Sequence, residues 1–203
     1  AGSSARADVA VFSAFVALTF ALTYPMAWHL GDSIPGYPAE DNFHYLWELW
    51  YPAHAIFERH VSPFVDSSIF SPFGYDLIRN QDLSPATVLL FAPFTYVLGE
   101  VVTYNLIVLA TFPLTAFGTY LLCRELWGSR PAAFVAGVAA GFCAYRVTHA
   151  LGHLSLVNTQ WIPFFLFYVE RSIRNPSRWN GTLAGAFYSL TALVSWYYAV
   201  GCA

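Results

Sequence analysis

From Val9 to Leu30 the chain carries no Asp, Glu, Lys or Arg, and a run of that length leaves few ways to fold it in water. Roughly 20 mainly apolar residues are what a helix needs to cross the hydrocarbon of a bilayer. Further runs of this kind cover 104–123, 131–146, 159–170 (short unless it extends upstream) and 181–203, so with 9–29 the sequence predicts about five membrane helices. The composition agrees. Only 10% of the 203 residues are charged and 57% are hydrophobic, whereas a soluble domain carries about 25% charged residues. The expected fold class is an all-α, polytopic transmembrane helix bundle, and the expected setting is an integral membrane protein.

The start of the chain, Arg6 followed by apolar residues, resembles a secretory signal. However, the run to Leu30 is longer than an h-region, and no small-x-small cleavage site closes it, so it reads as a retained first helix. The chain opens on Ala1 and closes on Ala203 within the apolar stretch SLTALVSWYYAVGCA, which predicts that residues 1–203 are the amino-terminal membrane module of a longer protein. Cys123, Cys143 and Cys202 are odd in number and set in apolar surroundings, and they read as small buried hydrophobes. The net charge of -3 is uninformative about nucleic acid, but with no basic tract, phosphate-binding glycine loop or zinc-knuckle spacing no nucleic-acid partner is expected.

Whether the short stretch 84–98, SPATVLLFAPFTYVL, crosses the membrane decides the sidedness of everything after it. Short cytoplasmic loops collect Arg. If the amino terminus is inside and 84–98 does not span, then Arg6, Arg124, Arg130, Arg171, Arg174 and Arg178 lie inside, with Arg59, Arg79 and Arg146 outside. If it spans, only Arg6 and Arg146 remain inside. The first arrangement is the expected one. It sends the six histidines and most acids of the long first loop, residues 31–83, to the outer face, where a loop of this length tends to carry function.

Within that loop, Glu40 to Tyr51 reads as a helix bounded by Pro38 and Pro52, with AHAIFERH after Pro52 open to continuing it as a second short surface helix. At 100° per residue, Asp41, His44 and Glu48 share one face within about 60°. Phe43, Leu46, Trp47 and Trp50 take the other, the pattern of an amphipathic helix lying in the interface with its acids turned from lipid. Asp41, His44 and Glu48 also present oxygen and nitrogen ligands that suit a divalent cation, although the same spacing describes the polar side of any such helix. A second polar cluster follows at Arg146, His149 and His153, with Asn158, Gln160 and Trp161 close behind. His149 and His153 have metal half-site spacing but lack the Glu of a zinc protease motif; local hydrogen bonding is the plainer reading. In the preferred arrangement the two clusters face one compartment and are expected to converge on one cavity. The glycosylation sequon at Asn180 falls on the expected cytoplasmic side and reads as chance.

One amino-terminal helix, a large outer loop with an acidic motif near its start, the stretch Ser71-Pro72-Phe73-Gly74-Tyr75-Asp76-Leu77, and then several membrane helices together resemble the GT-C superfamily of polytopic glycosyltransferases. Gly31-Asp32-Ser33, Asp41 with Trp47-x-Leu49-Trp50, Gly152-His153-Leu154 and Trp161-Ile162-Pro163 look like uncharacterised bacterial members of that group. The resemblance implies an enzyme of the cytoplasmic membrane that takes a sugar from a polyprenyl-phosphate donor at the outer face. It implies a catalytic role for Asp41, with Glu40 as its neighbour, and a divalent metal, Mg2+ or Mn2+, as cofactor. The family's second outer-loop acid has no counterpart here, where His149 and His153 stand instead.

Transfer to a hydroxyl needs a carboxylate to take the acceptor proton and a cation to stabilise the departing phosphate. Asp41 fits the first role, and Arg146 or Arg79 the second. The rival readings are a transporter subunit, which would be expected to show internal repeats or charged mid-membrane positions, and a non-catalytic accessory subunit that docks a partner through its outer loop.

Overall fold

The computed structural model describes residues 2–37, 41–77 and 84–202. It is 74% helix and 2% strand. Helix α1 (Gly2–Leu22) leads through a 3-10 turn at Met26–Trp28 to α2 (Asn42–His54). After a π-helical turn at Ala55–Arg59 come β1 (Val65–Asp66) and β2 (Tyr75–Asp76), paired antiparallel as a two-residue ribbon. Then follow α3 (Pro85–Leu98), α4 (Glu100–Trp127), α5 (Arg130–Gly141), α6 (Ala144–His149), α7 (Leu154–Val157), α8 (Trp161–Arg174), α9 (Arg178–Val194) and α10 (Trp196–Cys202).

Three segments are long and apolar enough to cross a membrane: Ala5–Leu22, Glu100–Trp127 and Arg130–His149, the last broken between α5 and α6. The runs expected at 159–170 and 181–203 form shorter helices. At 1.5 Å per residue α8 is about 21 Å long and α9 about 26 Å, against a hydrocarbon core of about 30 Å. The apolar tail is interrupted at Ser195, which adopts an extended backbone between α9 and α10.

The 28-residue α4 is the axis of the structure. Small residues let α5 lie close against it: a Cβ at Gly137 would stand 2.7 Å from the Ala116 carbonyl oxygen, and one at Gly141 would stand 2.6 Å from the Ala116 Cβ. Such close backbone approach replaces hydrophobic driving force where the surroundings are themselves apolar. Phe15 of α1, fully buried, closes the same cluster with Tyr120 and Ala133. One ion cluster pins these helices at their far end, where Asp8 accepts from Arg124 and Tyr120 and lies 3.8 Å from Arg130. Helix α8 runs beside α4 in the same direction, since Thr159 meets Thr115 and Pro163 meets Gly118. Arg6, Arg124, Arg130, Arg171, Arg174 and Arg178 therefore fall toward that far end.

The opposite end carries the long loop. Ser84, at the start of α3, donates to the carbonyl of Val194 at the close of α9, while Leu98 passes through Gly99 directly into α4. Helix α3 thus starts level with the middle of α4, where Thr87 meets Asn158 beside the Thr115–Thr159 pair, and runs back to the start of α4.

Candidate functional site

Helix α2 begins at Asn42 with Asp41 as its cap residue, and it does not stop at Pro52 as the sequence predicts. Pro52 lacks an N–H and breaks one helical hydrogen bond. However, it is buried with Leu49 and Ala53 against the protein, and this packing carries the helix on through the π turn to Arg59. The buried positions are Asn42, Tyr45, Glu48, Leu49 and Pro52, one side of the helix at spacings of three and four, joined toward its end by Tyr51 and Ala53. Phe43 and Trp50 point outward, 62% and 42% exposed. Glu48 therefore faces the protein and is buried rather than wet, with the half-buried His44 placing Nε2 3.3 Å from its carboxylate, while Asp41 at the head of the helix is exposed. Trp47 is partly buried too, stacking on Tyr51 and meeting Tyr75 of β2 edge-on.

The second polar segment lies between the α5 break and α8. Arg146 is 2% exposed. Its guanidinium donates to the carbonyls of Gly141 and Val157 and to the Thr159 hydroxyl, and it sits 5.2 Å over the Phe112 ring. The bonds tie α6 to the end of α5 and to the end of α7 and the segment after it, and the ring contact sets it against α4. The side chain is a buried cation whose Nη2, like the Nδ1 of His149, is buried with no hydrogen-bond partner among the described residues. His149 packs edge-on against both Tyr145 and His153.

The two segments meet. Asp41 Oδ2 lies 4.0 Å from His153 Nε2, both side chains partly exposed. That separation is within electrostatic reach and outside hydrogen-bond range. One turn along α2, the Tyr45 hydroxyl is 2.8 Å from the Ser155 hydroxyl; burial raises the Tyr45 phenol above its ordinary value, so it stays a neutral donor or acceptor there. Between these contacts, the Asn42 amide donates to the carbonyls of Pro35 (2.9 Å) and Leu151 (3.1 Å). Behind them lies a cavity of about 300 Å³, mostly apolar, between the end of α1 and helices α4 and α6, with Met26, Ile34, Phe112 and Val147 in its walls and His29 and Ser33 at its polar margin. His29 also holds the Asp32 carboxyl below its usual range by a hydrogen bond.

Asp41 of the first cluster approaches His153 of the second, with His149 next in line, whereas the cavity is lined by neither cluster. The predicted metal set does not gather. His44 pairs with Glu48, while Asp41 turns to His153, and among the described residues no group of three His, Cys, Asp or Glu side chains is placed to hold a metal ion. Glu40 and Arg79 lie outside the described residues. Asn42, Tyr45 and Ser155, which join the segments, had no motif to mark them. The one available signal was Asn105, an amide inside the apolar run 104–123, which donates to the carbonyls of Leu30 and Ser33 and fixes the start of the loop. No family model, curated protein or solved structure matches the chain.

Proposed function

We propose that the chain is the membrane part of a glycosyltransferase that moves a sugar from a polyprenyl-phosphate donor to a hydroxyl acceptor at the outer face of the bacterial cytoplasmic membrane. The observation that carries this reading is the approach of Asp41 to His153, from segments far apart in sequence, beside an apolar cavity. A donor of this class has one charged group and one greasy tail. The cavity offers space to the tail, and the imidazoles of His149 and His153, with the positive field of buried Arg146, face the problem of the phosphate.

In the proposed reaction the acceptor oxygen forms a bond to the anomeric carbon, the bond from that carbon to the phosphate oxygen breaks, and the phosphate leaves with the electron pair. Asp41 takes the acceptor's proton. Its partial exposure leaves it accessible to an acceptor arriving from water. A divalent cation is the cofactor that the family resemblance implies, but Asp41, His44 and Glu48 do not fit one as they are arranged, and no step is assigned to it. The gathering of Arg residues toward the far end supports placing that end in the cytoplasm.

The test is sugar transfer or release from a panel of polyprenyl-phosphate sugars by full-length protein in membranes, wild type against Asp41→Asn. Turnover by wild type, lost in Asp41→Asn at equal protein level, is the expected result. Equal turnover by both would remove Asp41 from its role, and no turnover by wild type with any donor would remove the function.

A further inference from the structure

Asn42 is 1% exposed, in a helix whose outward side is aromatic. Both polar ends of its amide are engaged. The nitrogen donates to Pro35 and Leu151, and the oxygen lies 3.4 Å from the hydroxyl of Tyr104, itself fully buried in α4. One side chain thus ties together the first loop, the turn between α6 and α7, and the central helix. The approach is as close as backbones allow: Gly36 has φ +113°, and a Cβ there would stand 1.8 Å from the Leu151 carbonyl oxygen and 2.4 Å from the Asn42 amide nitrogen. Pro35 and Leu151, whose carbonyls the amide holds, both line the apolar cavity. The preceding residue in the chain is Asp41.

We infer that Asn42 is a positioning residue that couples the apolar cavity to the Asp41–His153 site. An occupant that spreads or closes the cavity moves the Pro35 and Leu151 carbonyls. The two hydrogen bonds transmit that movement to the first turn of α2 and so to Asp41. A buried amide satisfied on both sides suits this task, because losing its donors leaves the Pro35 and Leu151 carbonyls without it and frees the turn. The inference that the occupant is a polyprenyl chain rests on the proposed function; the positioning of Asp41 by Asn42 does not.

The test reads geometry rather than turnover. Asp41→Cys and His153→Cys are introduced together into the full chain, with Cys123, Cys143 and Cys202 replaced by Ala, and the pair is bridged in membranes by a short bifunctional thiol reagent, with and without added undecaprenyl phosphate. With Asn42 present, bridging is expected to be fast, and undecaprenyl phosphate is expected to change its rate severalfold. Asn42→Asp, which keeps the acceptor for Tyr104 and loses both donors, is expected to slow bridging about tenfold and abolish the response, whereas Tyr104→Phe is expected to preserve both. A Thr115→Cys/Thr159→Cys pair reports whether the helices remain packed, so that a variant which fails to fold is recognised and Asn42→Ser, with a shorter donor, is measured in its place. Slow bridging in the Asn42 variant with a response to lipid in neither protein would uphold the positioning and overturn the coupling. Unchanged bridging in a packed Asn42 variant would overturn the inference entirely.

Discussion

The two ends of the helical assembly are built on different physics. From the middle of α4 toward the far end, α4 and α5 touch through Ala116, Gly141 and Gly137, with Phe15 filling the remaining space and a charged cluster around Asp8 at the end itself. At the loop end, an apolar cluster of Leu49, Tyr104, Ile107, Phe112, Leu154 and Val157 is overlaid by polar contacts between distant segments: Asn42 with Leu151, Tyr45 with Ser155, Asp41 with His153, and Asn105 with Leu30 and Ser33. Small-residue packing is unforgiving of shape and indifferent to ligands. Polar pins are individually worth only about 1 kcal/mol and can exchange partners. The first kind makes a scaffold, and the second kind makes a place where geometry can respond to what binds.

That contrast is broken most severely by Gly137→Leu. Its side chain has to displace the Ala116 carbonyl or Phe15, and an overpacking cost of about 3 kcal/mol or more is expected. Expression and thermal unfolding in detergent should show loss of folded protein, and a variant as stable as wild type would mean that α4 and α5 are not in this close contact. Asp8→Ala removes the shared acceptor of Arg124 and Tyr120 and is expected to cost about 2 kcal/mol, read as a lower unfolding temperature. Tyr45→Phe should cost about 1 kcal/mol. Its effect should be local, with faster proteolysis or hydrogen exchange in 42–54 and 150–157 and little change in α4 and α5; a uniform change would erase the distinction between the two ends. Smallest of all is Phe73→Ser. Its ring is 93% exposed at the tip of the β1–β2 ribbon, so unfolding should shift by less than about 0.5 kcal/mol.

The scaffold end was the more legible in the sequence. Apolar length alone located the segments that became α1, α4 and α5, and the Arg distribution matched the end at which Arg124, Arg130, Arg171 and Arg178 gather. Hydropathy did not resolve the shorter pieces: Ser195 splits the tail, and α8 ends at Arg174 after only 14 residues. At the loop end, helical periodicity set Phe43, Leu46, Trp47 and Trp50 on the outward face, and of these Phe43 and Trp50 are exposed while Leu46 and Trp47 pack against the protein. It could not tell a wet face from one turned into the protein, so the burial of Glu48 was hidden. Pro52 looked like a stop because local chemistry outranks packing when only the sequence is visible. Asn42 and Ser155 were invisible for a related reason. The contacts by which they join the two segments, Asn42 with Leu151 and Ser155 with Tyr45, span more than 100 residues, and no spacing rule reaches that far.

The central claim is that a lipid-borne donor places its tail in the cavity between α1, α4 and α6 and its phosphate beside His153. It is tested most directly with a polyprenyl phosphate carrying a photoreactive group on the isoprene unit nearest the phosphate. This probe would be illuminated with the full-length protein in membranes, and the labelled peptides identified. The account predicts labelling concentrated in 22–35 and 147–153 and suppressed by unlabelled polyprenyl phosphate. Labelling spread over the exposed faces of α3, α9 and α10, without competition, would contradict it.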